Sequence, residues 1–319
     1  MKTLKPALVA LVALTSPAAL PLSAQAQTPA TEAATPAKPA PAKSGHVTAN
    51  GINYYYEIHG SGEPLLLLHG GLGSIDMFGP VLPALSANRE VIAVDLQGHG
   101  RTELGDRPIQ LPAIADDIAV VVKELGYNQV DVAGYSMGGG VAFRLAVQHP
   151  DVVRRVALIS TGFAQNGFYP EMLPQQQAVS SQMFEMMKET PMYKSYVAVA
   201  PKPDDFPRLL DRMGELMKIA HDWREDVGKL NMPVMLVFAD SDMYRLEHVV
   251  EFYKLLGGGQ KDAGWMRENM AQNRLAIIPN RTHYDVFFAP ELVPTLLPFL
   301  NGETKVRTWD ELVQEQAIQ

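Results

Sequence analysis

Hydrophobic positions fall into two alternating rhythms along most of the chain. Short apolar runs recur at 64–68, 91–94, 130–133 (interrupted by Asp131), 156–159, 234–238 and 275–278. Runs of this length suit strands buried on both faces, which is what a parallel sheet requires. An earlier stretch, 52–58, is rich in tyrosine and is reached by an Asn50-Gly51 turn, so it predicts an antiparallel edge strand. Between the runs lie amphipathic helical patterns at 114–125, 141–147, 249–256 and 292–300. In the first of these, Ile114, Ile118, Val121, Val122 and Leu125 share one face. Gly126 and Gly257 stand where helix stops belong. Strand and helix repeated in this way predict a doubly wound, mostly parallel α/β sheet. Residues 163–228 break the rhythm, because they are helical in pattern and carry no buried-strand run. They also hold Met172, Met183, Met186, Met187, Met192, Met213 and Met217, and they read as a helical cap inserted between two strands.

The first residues follow neither rhythm. Lys2 and Lys5 precede an apolar run at 7–14 that is too short for a permanent bilayer span, and Ala24-Gln25-Ala26 offers small residues for cleavage. Residues 1–26 therefore read as a secretory signal peptide, with an exported, periplasmic or extracellular protein as the expectation. Residues 27–43 are almost wholly Ala, Pro, Thr and Lys, too poor in apolar bulk to offset ordering entropy, and read as a flexible tether. The folded body is expected over 44–319, with no stable membrane span once the signal is removed. Composition narrows the chemistry further. With 27 basic and 35 acidic side chains the formal net charge is −8, which offers no cationic face to nucleic acid. The absence of cysteine excludes a disulfide framework, a zinc ribbon, a thiol nucleophile and a lipoprotein anchor. His-Glu-x-x-His and comparable ligand spacings do not occur, so neither a metal nor a cofactor is expected.

Chemistry must then come from oxygen and nitrogen groups, and one motif supplies them. Gly134-Tyr135-Ser136-Met137-Gly138 directly follows the run at 130–133 and opens the next helical pattern. A serine at so sharp a strand-to-helix turn is lifted clear of the sheet, and small residues two before and two after it avoid clashes with the neighbouring chain. On this motif and its setting, the chain resembles the α/β-hydrolase superfamily over residues 51–300. The resemblance implies nucleophile, acid and histidine in that order, the last two on loops after late strands. Ser136 matches the nucleophile. Ala239-Asp240-Ser241-Asp242 is similar to the acid loop, and Pro279-Asn280-Arg281-Thr282-His283 to the histidine loop. Asp242 is preferred as the acid for its place at the loop tip, with Asp240 as the alternative and otherwise a turn-former. His283 would deprotonate Ser136, and Asp242 would hold the imidazole tautomer.

The same resemblance assigns the oxyanion donors. His69-Gly70-Gly71-Leu72-Gly73 ends the run of leucines, and its donor maps to the Gly71 N–H, with Leu72 as the fallback; the second donor is the Met137 N–H. His69 reads as a brace for this loop, and the loop at 95–102 as a buttress. His248 reads as a surface residue of a helix, His149 as a helix-end cation, and His221 stays open between cap packing and the site. The separation of Asp242 from His283 is long for the family, and the excess at 257–270 is expected to bring Trp265 or Met266 towards the pocket rim.

The cap's methionines and its aromatics Phe168, Tyr169, Phe184, Tyr193 and Tyr196 suggest an adaptable apolar pocket. A small or medium carboxylic ester, aryl esters and lactones included, is the expected substrate. The alternatives are a proline-iminopeptidase-like member, which would need a cap carboxylate such as Glu171, Glu185 or Glu215, a cofactor-free haloperoxidase-like member, and a non-catalytic binding protein.

Overall fold

The apolar runs assemble into a single eight-stranded sheet in the order β1-β2-β4-β3-β5-β6-β7-β8 in a computed structural model that describes residues 40–303 together with Trp309 and Val313. The strands are β1 (Lys43–Ala49), β2 (Ile52–His59), β3 (Pro64–Leu68), β4 (Glu90–Val94), β5 (Val130–Tyr135), β6 (Val153–Ile159), β7 (Val234–Ser241) and β8 (Arg274–Thr282). Only β2 runs against its neighbours; every pairing from β4 across to β8 is parallel. The predicted signal peptide and residues 27–39 of the predicted tether lie outside the described residues. The sheet begins slightly ahead of Ser44, since the Ala42 N–H bonds the Ile58 carbonyl at 2.8 Å and Lys43 opens β1.

Helices cover both faces. On one, α1 (Val81–Ser86) and α10 (Leu292–Leu300) bury Val81, Leu82, Leu85, Leu292 and Leu296 against Leu65, Leu67, Val91 and Ala133. On the other, α2 (Leu111–Glu124), α3 (Met137–Gln148) and α9 (Leu246–Leu255) pack Ile114, Ile118, Val141, Leu145 and Phe252 onto Leu66, Leu68, Ile92 and Val132. Consecutive leucines of β3 thus feed opposite cores, because side chains of a strand alternate between faces. The Gly126 and Gly257 stops have φ of +92° and +80°, conformations that favour glycine.

Three expectations change. The strand at 52–58 is not an edge, because β1 pairs along its whole length. β1 escaped notice because Ala49 is its one buried residue, so it has no apolar run to read. β8, expected to be buried on both faces, is itself an edge and leaves Ile277 41% exposed. The 257–270 insertion does not approach a site at the C-terminal strand ends. It joins the end of α9 to the start of β8, and the Asn273 side chain accepts from the N–H of Val234, the first residue of the neighbouring β7, at the N-terminal ends of the strands. Trp265 and Met266 are exposed there.

Between β6 and β7 the chain forms only helices and 3₁₀ turns: α4 (Met172–Gln177), α5 (Phe184–Met187), α6 (Pro191–Val199), α7 (Phe206–Lys218) and α8 (Arg224–Val227). The segment departs and returns at one place, where the Trp223 N–H bonds the Phe163 carbonyl at 2.8 Å and Ala164 bridges to Asp222. α7 buries Phe206, Leu209, Leu210 and Met213, while Arg208 and Arg212 reach the carbonyls of Gly105 and Asp106 at 2.6 and 3.1 Å. Those bonds seat α7 over the loop that leaves β4.

Candidate active site

The turn from β5 into α3 holds Ser136 at φ +52°, ψ −116°, a conformation that costs a non-glycine residue about 1–3 kcal/mol. Its neighbours make it feasible. A Cβ at Gly134 would lie 2.3 Å from the Gly138 carbonyl oxygen, and one at Gly138 would lie 2.4 Å from the His69 carbonyl oxygen. Only glycine fits at either place, so the small residues of the motif are a steric requirement of this turn.

Three side chains converge there from distant parts of the chain. His283 Nε2 lies 3.0 Å from Ser136 Oγ, and His283 Nδ1 lies 3.0 Å from Asp242 Oδ1. With Nδ1–H donating to the carboxylate, Nε2 is free to accept from the serine hydroxyl. Asp242 is buried, which by itself raises a carboxyl pKa. Hydrogen bonds from His283, Ser160 and the Ala239 N–H outweigh burial and hold it below the ordinary carboxylate value. Asp240 does different work: it accepts from the Asn280 and Arg281 N–H groups at 2.9 and 3.2 Å and so tethers the histidine loop.

Above the serine lies the loop after β3. A Cβ at Gly70 would stand 3.4 Å from Ser136 Cβ, and one at Gly71 would stand 3.9 Å from Met137 Cβ and 2.8 Å from Met213 Cε. Gly71 and Met137 are therefore neighbours, and the first-turn N–H of α3 has no intrahelical acceptor. Leu72, the fallback donor, has φ +56°. His69 braces this loop: Nδ1–H donates to the Gly70 carbonyl at 2.8 Å while Nε2 accepts from the Leu96 N–H at 2.9 Å. Asp95 accepts from the Ile75 and Arg101 N–H groups at 2.7 and 2.8 Å, joining the two buttressing loops.

The remaining histidines separate by packing. His149 pairs with Asp116 at the surface. His221 stacks on Trp223 in the cap. His248, expected at the surface, is buried: with Val249 and Phe252 it forms the inward face of α9, and it lies flat on Phe163 at 4.1 Å. A helical pattern read one residue out of phase hides this.

Burial pushes His69 and His248 down to about 4 and His99 down to about 3, while it raises Asp95 to about 6. Between pH 6.5 and 4 the unfolded chain takes up protons at three histidines that the folded chain refuses. Asp95 acts in the opposite sense but supplies one proton against three. Stability is thus expected to fall across that window, each uncompensated proton adding about 1.4 kcal/mol per pH unit to the slope. Melting temperatures recorded through the window check this; a flat profile contradicts it.

Several site neighbours carry no sequence signal of their own. Tyr135 donates its hydroxyl to the His283 carbonyl at 2.6 Å and lays its ring beside the imidazole, with burial first and the Asp242 charge second keeping the phenol protonated. Ser160 donates to Asp242 Oδ2. Met213 reaches the oxyanion loop from the cap. Only the position of Ser160, directly after the buried run at 156–159, hinted that it ends a strand.

A family model described as the alpha/beta hydrolase fold matches residues 63–190, which include the loop after β3 and Ser136 but neither Asp242 nor His283. A soluble epoxide hydrolase from a Corynebacterium species is 39% identical over 110 residues, covering 34% of this chain and 38% of that protein. A 2-hydroxymuconate semialdehyde hydrolase from a Pseudomonas species is 34% identical over 119 residues, covering 36% and 42%. The chain thus spans less than half the length of these curated relatives. Among solved structures, E-2-(acetamidomethylene)succinate hydrolase superposes with a TM-score of 0.63 at 19% identity over 81% of this chain and 99% of that one. The family model and the superposition agree on the α/β-hydrolase fold.

Proposed function

We propose that the protein is an exported serine hydrolase that cleaves small or medium carboxylic esters, aryl esters and lactones included, through an acyl-enzyme. The observation that carries this reading is the continuous hydrogen-bonded chain from Ser136 Oγ through His283 to Asp242. Ser136 Oγ attacks the ester carbonyl carbon as its proton passes to His283 Nε2, and Asp242 stabilises the imidazolium. The carbonyl electrons move onto oxygen, where the Gly71 and Met137 N–H groups receive the negative charge. Collapse expels the alcohol, which takes the proton from His283. Water then repeats the sequence on the acyl-enzyme, releasing the acid and restoring the serine.

Ester chemistry is favoured over epoxide opening by the nucleophile itself. A serine that opened an epoxide would be left as an ether, which water does not cleave under these conditions, whereas an acyl-serine is cleavable. Apolar groups at the oxyanion loop (Met137, Met213 and, beside Gly73, Met77) favour a neutral substrate. The cap carboxylates considered for an aminopeptidase role give it no support, since Glu185 and Glu215 pair with Lys188 and Arg212 on the cap surface and Glu171 is exposed. Export rests on the charged, apolar and Ala-x-Ala sequence at residues 1–26.

A fluorophosphonate probe tests the nucleophile. One equivalent is expected to attach, and peptide mapping should find it on Ser136; folded protein that stays unlabelled overturns the reading. Hydrolysis of p-nitrophenyl esters of increasing acyl length then reports the acyl preference.

A further inference from the structure

The Asp242 carboxylate accepts from four groups among the described residues. His283 Nδ1 and the Met243 N–H meet Oδ1 at 3.0 and 2.8 Å, and the Ala239 N–H meets Oδ2 at 3.2 Å. The fourth donor is the Ser160 hydroxyl, also on Oδ2. Ala239 and Met243 belong to the acid's own loop and move with it, and His283 is the group that the acid must orient. Ser160 alone reaches the carboxylate from an independent element, the end of β6.

That element is registered against both halves of the site. The Ser136 N–H bonds the Ile159 carbonyl at 2.9 Å, and the Ser160 N–H bonds the Val237 carbonyl at 2.8 Å, so the end of β6 is fixed to the nucleophile strand and the acid strand together. The two following residues extend the strut. A Cβ at Gly139, in the first turn of α3, would meet Thr161 Cβ at 2.8 Å, and one at Gly162 would meet the Tyr244 ring at 2.5 Å. The turn after β6 is therefore wedged between the helix that follows the nucleophile and the loop that carries the acid.

Ser160 also has φ +47° and is fully buried. Glycine would adopt this backbone without strain. Serine adds one thing there, a hydroxyl, and a buried hydroxyl requires a partner; it finds that partner on Asp242. We propose that Ser160 is a positioning residue of the triad, holding the Asp242 carboxylate from β6 so that Oδ1 faces His283, an inference that rests on the serine-hydrolase reading. Without this contact the carboxylate keeps its own loop donors but loses the reference that fixes its rotation. It also loses one of the donors that keep its charge favourable despite burial.

Ser160→Ala and Ser160→Gly, each in the full-length chain, separate positioning from a structural role. With p-nitrophenyl acetate, kcat is expected to fall roughly tenfold in both variants, with KM within about twofold of wild type. The acid limb of the kcat/KM profile is expected to move up by about half a pH unit, because the Asp242 carboxylate, with one donor fewer, bears more of its charge towards the imidazole ring. Ser160→Gly should melt above Ser160→Ala, because glycine relieves the backbone strain that alanine keeps, so that the two variants differ in stability while losing the same activity. Fluorophosphonate labelling of Ser136 should slow in parallel with kcat. If the wild type itself is not labelled, the serine-hydrolase reading fails. If the wild type is labelled and both variants keep its kcat and pH profile, the assignment of Ser160 is overturned. A loss of activity that merely follows a loss of folded protein, with the pH profile unmoved, overturns it equally.

Discussion

Ser136→Ala is expected to lower p-nitrophenyl acetate turnover by about four orders of magnitude or more. The substitution removes the only atom that can form the acyl-enzyme, while the oxyanion N–H groups, which belong to the backbone, remain. Alanine inherits the φ of +52° at the turn, so backbone strain is unchanged, and the lost contact to His283 is a single hydrogen bond at a partly exposed position. The melting temperature should accordingly stay within a few degrees of wild type, roughly the effect of 1 kcal/mol or less in a domain of this size. His283→Ala should cost a comparable factor, and the double variant little more than either single one, since nucleophile and base act as a unit. Steady-state assays on purified variants measure all three. A Ser136→Ala protein that retains a tenth of wild-type activity would remove the nucleophile from the mechanism.

Asp242→Asn is expected to cost about three to four orders of magnitude in kcat, whereas Asp240→Asn should cost about tenfold or less. The reason lies in the donors around each carboxylate. His283 Nδ1, the Met243 and Ala239 N–H groups and the Ser160 hydroxyl all direct hydrogens at Asp242. An asparagine amide must turn its NH₂ towards one side or the other, and each side holds a backbone N–H. Turned towards His283, the NH₂ also forces the proton from Nδ1 onto Nε2, where it blocks acceptance from Ser136. Asp240 meets two backbone N–H groups of the histidine loop and no ring nitrogen, so its replacement loosens the loop and leaves the tautomer intact. The reverse order of effects would make Asp240 the acid. The pH sign follows from the carboxyl's depressed value. Its charged interactions contribute stability above the unfolded value of 3.8 and are lost as pH falls through the lower folded value, so the Asp242 network itself fails only in strong acid. The histidine-driven loss between pH 6.5 and 4 precedes it.

Much of the site was legible because some of its requirements are local. The strand run at 130–133, the glycines flanking Ser136 and the helix that follows all act within a few residues of one another, and steric exclusion at Gly134 and Gly138 explains why the pattern reads so clearly. His69 was legible as a brace for a similar reason, since its hydrogen bond to Gly70 spans one residue. Legibility failed where burial depended on a partner element. β1 has a single buried residue and finds its place only through its pairing with β2, and the buried His248 is decided by Phe163, which packs on it from the base of the cap.

The sequence by itself therefore determined the alternation of strand and helix, the serine turn and the candidate groups, because periodicity and backbone sterics are properties of neighbouring residues. The tertiary structure alone decided which carboxylate meets the imidazole, which strand ends at the sheet edge, and that Tyr135, Ser160 and Met213 touch the site. His283 is 147 positions from Ser136 and 41 from Asp242, and contacts over such distances are set by strand register and loop geometry, which depend on the packing of the whole sheet.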